Sequence, residues 1–184
     1  MINMKSFDAM RKELKVFEQK REEVISRSRE MIQLSKRIIY SVQRHDSSAQ
    51  LVTQLKKAKS ALPKDAFDTG MQSVALQEYV EALTLFALVE KGKLPTAKEL
   101  NVPVHEYLMG LCDLTGELVR MAVNAAIRKQ FKDVERWHHI TAELYGEFLK
   151  LDLRNGELRK KSDQIKWNLQ KLEGLMYDLK SKSS

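Results

Sequence analysis

Hydrophobic residues return every three or four positions along nearly the whole chain, and no useful length alternates with period two. In a first segment over about 4–45, Phe7, Met10, Leu14, Phe17, Val24, Met31, Ile38 and Val42 take the alternating three- and four-residue steps of a long packed helix. The same seam passes through Arg21, Ser28 and Ser35, which are polar where an apolar side chain is expected. His45-Asp46-Ser47-Ser48 ends it, with Ser47 or Ser48 predicted to cap a shorter helix to about Ser60. Leu62-Pro63-Lys64-Asp65 breaks the chain before a helix over about 65–91, which Lys91-Gly92-Lys93-Leu94-Pro95 stops.

Thr96 is placed to cap a single turn, and Pro103 to open a helix over about 103–128. A further helix over about 130–151 carries Phe131, Val134, Trp137, Leu144, Tyr145 and Phe148, and Arg154-Asn155-Gly156 closes it. The last, over about 157–181, repeats heptad steps through Leu158, Ile165, Leu169, Leu172, Met176 and Leu179. The pattern predicts one all-α domain over 1–184, an antiparallel bundle of about six or seven helices. The heptad seams at both ends are expected to pack internally rather than between subunits.

Two of these helices carry isolated acids. Between Val74 and Val89 the only charged residues are Glu78 and Glu81. Between Tyr107 and Ile127 they are Asp113, Glu117 and Arg120. Positions three and four apart lie within about 60° and about 40° of each other around a helix, so each pair shares a face. Acids seldom sit on apolar helices unless paired, and an unpaired buried ion costs several kcal/mol. Arg120 can cover Glu117 but not all four, so the quartet asks for a cation. An all-carboxylate set selects a hard ion, Mg²⁺ or Mn²⁺, and such ions serve phosphodiester chemistry. Arg120 is then the candidate phosphate contact.

Composition narrows the alternatives. A chain that is 43% hydrophobic and 31% charged, with seven Gly and three Pro, suits a folded helical protein and not a disordered one. The single cysteine, Cys112, excludes an internal disulfide framework and reads as a packed hydrophobe. The net charge of +7 is uneven: residues 1–60 hold 14 Lys and Arg against 7 Asp and Glu, whereas residues 61–127 hold 5 against 9. A basic frame around an acidic middle suits a polyanion held over a metal site. No leader-like segment or long uncharged span occurs, so a cytoplasmic protein without a membrane partner is expected. A di-iron centre needs Glu-x-x-His twice; Glu135-Arg136-Trp137-His138 occurs once. His45, His105, His138 and His139 have no zinc-site spacing, and no Gly-rich phosphate loop or Gly-x-Ser-x-Gly elbow is present.

Leu76-Gln77-Glu78-Tyr79-Val80-Glu81-Ala82, and Tyr107-Leu108-Met109-Gly110 through Asp113-Leu114-Thr115-Gly116-Glu117-Leu118-Val119-Arg120-Met121, resemble the acidic motifs of translin-associated factor X. Leu158-Arg159-Lys160-Lys161-Ser162-Asp163 onward, Arg21-Glu22-Glu23 and Ser35-Lys36-Arg37 are more similar to translin. The resemblance to the translin family implies an all-α subunit of a hollow, roughly octameric shell and a metal-dependent endoribonuclease acting on RNA inside. It carries the catalytic, metal-holding acids onto Glu78, Glu81, Asp113 and Glu117, and a nucleic-acid contact onto Arg21. Translin's other basic contacts would fall near Gly70-Met71-Gln72-Ser73, which has no basic residue, and are not carried over. Both subunits' features in one chain imply a homo-oligomer.

The reading is a Mg²⁺- or Mn²⁺-dependent endoribonuclease for single-stranded or unpaired RNA, with single-stranded DNA a further ligand class. Glu78, Glu81, Asp113 and Glu117 hold metal, while Arg120 and Arg21 contact RNA. The alternatives are a non-catalytic nucleic-acid-binding shell and a helical scaffold for acidic protein partners.

Overall fold

A computed structural model describes residues 3–63 and 69–181, and among them there are seven helices and no strand. They are α1 (Met4–Gln43), α2 (Ala49–Ser60), α3 (Met71–Lys91), α4 (Ala97–Leu100), α5 (Val104–Ile127), α6 (Phe131–Phe148) and α7 (Glu157–Ser181). The all-α expectation holds. The expected start of the third helix, about 65, falls outside the described residues; Gly70 is already non-helical, with φ 66°, and α3 begins at Met71.

Local signals explain several helix ends. Thr96 closes a reciprocal cap on α4: the Glu99 N–H donates to its hydroxyl at 3.2 Å, and its own N–H donates to the Glu99 carboxylate at 2.7 Å. Gly92 ends α3 in the left-handed region. Ser48 occupies the cap position of α2, but its carbonyl, not its hydroxyl, receives the Val52 N–H.

Helices joined by short connections fold back antiparallel: α2 against α1, α6 against α5, and α7 against α6. The connection between α3 and α5 is longer and differs. Residues 92–103 return the chain so that α5 climbs beside α3 in step, with Ser73 meeting Glu106 and the backbone at Gln77 meeting Gly110. A methyl group on Gly110 would lie 2.6 Å from Val80 Cβ, so only glycine permits this approach. Met31, Ile38, Leu55, Leu85, Leu114, Leu118, Ile165 and Leu172 are fully buried in one continuous core. Each contributes roughly 1.5–3 kcal/mol of apolar burial.

The expected internal packing of the first seam holds only from Val24 onward. Val24, Met31, Ile38 and Val42 are buried, whereas Phe7, Met10 and Leu14 are exposed. Length is the reason. The 40 residues of α1 span about 60 Å against about 32 Å for the 21 of α3, so the first turns outrun the bundle. Ser28 and Ser35 follow the buried seam and are completely enclosed, and neither hydroxyl meets a hydrogen-bond partner. Among the described residues no helix is long and apolar enough to cross a membrane.

Candidate functional site

The in-step register of α3 and α5 sets both acid pairs at one height on the same side of the bundle. The end of α1 closes that side. Glu78, Glu81, Glu117 and Arg120 line a cavity of about 330 Å³ together with Lys36, Ile39, Tyr40 and Gln43 of α1. Asp113 lies outside this lining, yet near enough for its charge to act on both Glu78 and Glu81.

The electrostatics follow from crowding acids where water is scarce. Glu81 is the deepest, and its carboxyl is pushed up to about 8, first by burial and then by Asp113, Glu78 and Glu117. Burial also raises Glu78, opposed by Lys36, and raises Glu117, opposed by Arg120 and by the Gln43 amide. One turn on, the Thr84 hydroxyl donates to the Val80 carbonyl at 2.7 Å and stays within the helix.

Positive or donating groups already rest on three of the acids. Lys161, on the first turns of α7, donates to Asp113 at 2.5 Å and to the Gln77 side-chain carbonyl at 3.1 Å. The Gln43 amide donates to Glu117. Lys36 stands 3.9 Å from Glu78 and is itself largely exposed. As these side chains stand, no three His, Cys, Asp or Glu among the described residues are gathered closely enough to hold a metal ion. The expected four-carboxylate cluster is therefore shared between a cavity wall and a lysine-bound flank.

Arg120 reaches the cavity, as its spacing from Glu117 implies. Arg21 does not. It sits about 22 Å along α1 from Lys36, paired with Glu18 at 3.7 Å and Glu22 at 3.4 Å on its own helix. Cys112 is buried and its thiol is raised to about 12, mainly by burial, which leaves it inert. His139 pairs with Glu143 and His105 with Glu106, away from the acid cavity.

Sequence reasoning missed Lys36, Tyr40, Gln43, Gln77 and Lys161 as site residues. Gln77 had a signal, being a polar residue next to Glu78 on an apolar helix. Lys161 had none, because it sits in a basic run 48 residues from Asp113.

Comparison with known proteins agrees with the all-α fold. An uncharacterised protein of Methanocaldococcus jannaschii is 29% identical over 163 residues, covering 84% of this chain and 73% of its own length. The translin-associated protein X homolog of Schizosaccharomyces pombe is 27% identical over 188 residues, covering 86% of this chain and 80% of its own. The crystal structure of apo-NeC3PO is similar at a TM-score of 0.87 with 28% identity, covering 96% of this chain and 97% of that one. The translin family profile matches residues 19–182, and the chain belongs to the translin family.

Proposed function

We propose that this chain is a Mg²⁺- or Mn²⁺-dependent endoribonuclease that cleaves single-stranded or unpaired RNA within an oligomeric shell of its own copies. One observation carries the reading: Glu81 is partly buried within electrostatic reach of Asp113, Glu78 and Glu117, so its anion is disfavoured unless a cation joins it. A hard divalent ion meets that need with an all-oxygen donor set, to which Glu78, Glu81, Asp113 and Glu117 would contribute. When bound, such an ion polarises a phosphoryl oxygen and lowers the pKa of its water. Arg120, at the cavity wall, would contact the scissile phosphate. Lys36, two-thirds exposed at the same mouth, adds attraction for the RNA backbone. Arg21, remote from the acids in one subunit, acts in RNA binding and not in cleavage.

Likeness to the translin-associated protein X homolog and to apo-NeC3PO supports nucleic-acid binding and assembly. The exposed apolar turns of α1 supply a surface for that assembly. Labelled RNA incubated with Mn²⁺ or with EDTA tests the reaction. Cleavage is expected only with Mn²⁺, and Glu81→Ala and Asp113→Ala should each abolish it while RNA binding and assembly persist. Cutting at the wild-type rate by the double variant would refute the assignment.

The second reading, a non-catalytic nucleic-acid-binding shell, is favoured by a single fact. Lys161 and Gln43 already satisfy two of the acids. It predicts salt-sensitive RNA binding with no cleavage in either ion.

A further inference from the structure

Lys161 has contacts that tie α7 to both acid-bearing helices. Its ammonium donates to Asp113 on α5 at 2.5 Å and to Gln77 on α3 at 3.1 Å. Gln77 is itself buried and held by a bond of 3.2 Å from its amide to the Ser73 hydroxyl, so the lysine's second acceptor is fixed in place. Asp113 and Lys161 are each only about one-third exposed, with side-chain values of 33% and 32%. This contrasts with Lys36, 66% exposed and 3.9 Å from its acid, which has the geometry of a loose surface pair. The donor hydrogen-bonded to Glu117, the Gln43 amide, is neutral.

The two donors respond differently to a divalent cation. A neutral amide can keep its hydrogen bond to a carboxylate whose other oxygen holds metal. An ammonium on such a carboxylate adds a like charge that repels the incoming ion, and on Asp113 it holds Oδ2. We propose that Lys161 is an internal counter-ion for the acid site, resting on Asp113 until a divalent cation binds and then giving up that oxygen. The idea rests on the metal-dependent reading above and adds to it a residue that sets how tightly metal is held. Lys161 is a positioning residue: it acts on Asp113 and touches no substrate. Release breaks its contact to α5, while Gln77 keeps an acceptor for it on α3, so the ammonium has a second resting place within the protein.

The test is Mn²⁺ binding to the full chain, without RNA, followed by calorimetry and by loss of the free-ion electron spin resonance signal. Lys161→Met keeps the aliphatic stem and removes the charge. A partly exposed ion pair of this kind opposes metal modestly, so Lys161→Met should bind Mn²⁺ about five- to tenfold more tightly than wild type, and Lys161→Arg should stay within about twofold of it. In EDTA, Lys161→Met should melt below wild type, and saturating Mn²⁺ should close the gap. A merely structural lysine would not raise metal affinity when removed. If Lys161→Met does not fold in EDTA, Lys161→Gln, which leaves Asp113 a neutral donor, carries the same comparison. Equal or weaker Mn²⁺ binding by a folded, normally assembled variant overturns the exchange while leaving the metal site standing. A wild-type protein that takes up no Mn²⁺ overturns both.

Discussion

Replacing Glu81 with glutamine isolates the charge problem at the centre of the site. The side chain keeps its size and loses its ability to ionise. In the folded protein the Glu81 carboxyl is raised from the ordinary 4.5 to about 8, because burial and the charges of Asp113, Glu78 and Glu117 disfavour its anion. A group whose folded pKa lies above its unfolded one contributes stability that is complete below the unfolded pKa and lost as pH rises through the folded one. Wild type should therefore weaken between pH 4.5 and 8, and Glu81→Gln should not share this term. The gap is worth about 5 kcal/mol at 1.36 kcal/mol per pH unit. Water at the cavity mouth screens part of it, so about 2–3 kcal/mol is expected to be visible at pH 8. For a chain of this length that is about 5–10 °C in melting temperature.

Thermal melts of both proteins in EDTA from pH 5 to 8.5 measure the effect. At pH 5 the two should differ by a small constant, and toward pH 8.5 the variant should become progressively the more stable. Mn²⁺ should restore wild type at high pH and do less for the variant. A difference that stays flat across this range would refute the crowding of acids around Glu81, and with it the basis for a metal there.

Gly110→Ala should destabilise. A methyl 2.6 Å from Val80 Cβ and 2.7 Å from the Gln77 carbonyl forces α3 and α5 apart, costing about 2–3 kcal/mol against a helix-propensity gain of about 1. Gly174→Ala, with nothing within 4 Å of the new methyl, should instead raise the melting temperature slightly, as chemical denaturation of both variants will verify. Arg136 donates to the Leu88 carbonyl at 2.5 Å near the end of α3 and stacks 4.6 Å from the Trp137 ring centroid. Arg136→Met should therefore cost about 1–2 kcal/mol in urea unfolding. Phe7→Ser with Leu14→Ser should reduce the assembly's mass in light scattering while circular dichroism stays helical. Unchanged mass would remove the first turns of α1 from the interface.

Much of the fold was legible because its signals are local. Thr96 with Glu99 spells a reciprocal cap, Gly92 stops α3, and the 3.6-residue period marks each helix without reference to any other. The acid pairs were legible for the same reason, since Glu78 with Glu81 and Asp113 with Glu117 share a face by helical geometry alone. The seam of α1 misled in its first half. Periodicity records that a face is apolar, but not whether the neighbours are long enough to cover it.

Periodicity and spacing by themselves determined the helices, their apolar faces and the pairing of acids within each helix, because those depend on residues within one or two turns. The tertiary structure decided what those faces meet. The return of residues 92–103 sets α5 in step with α3, and the close approach at Gly110 brings the two acid pairs to one height. The chain also arrives from both ends at that site, with Lys36 and Gln43 from α1 and Lys161 from α7. Contacts between residues 48 and 74 positions apart carry no periodic trace, since nothing local distinguishes a lysine destined for Asp113 from its neighbours in a solvated basic run.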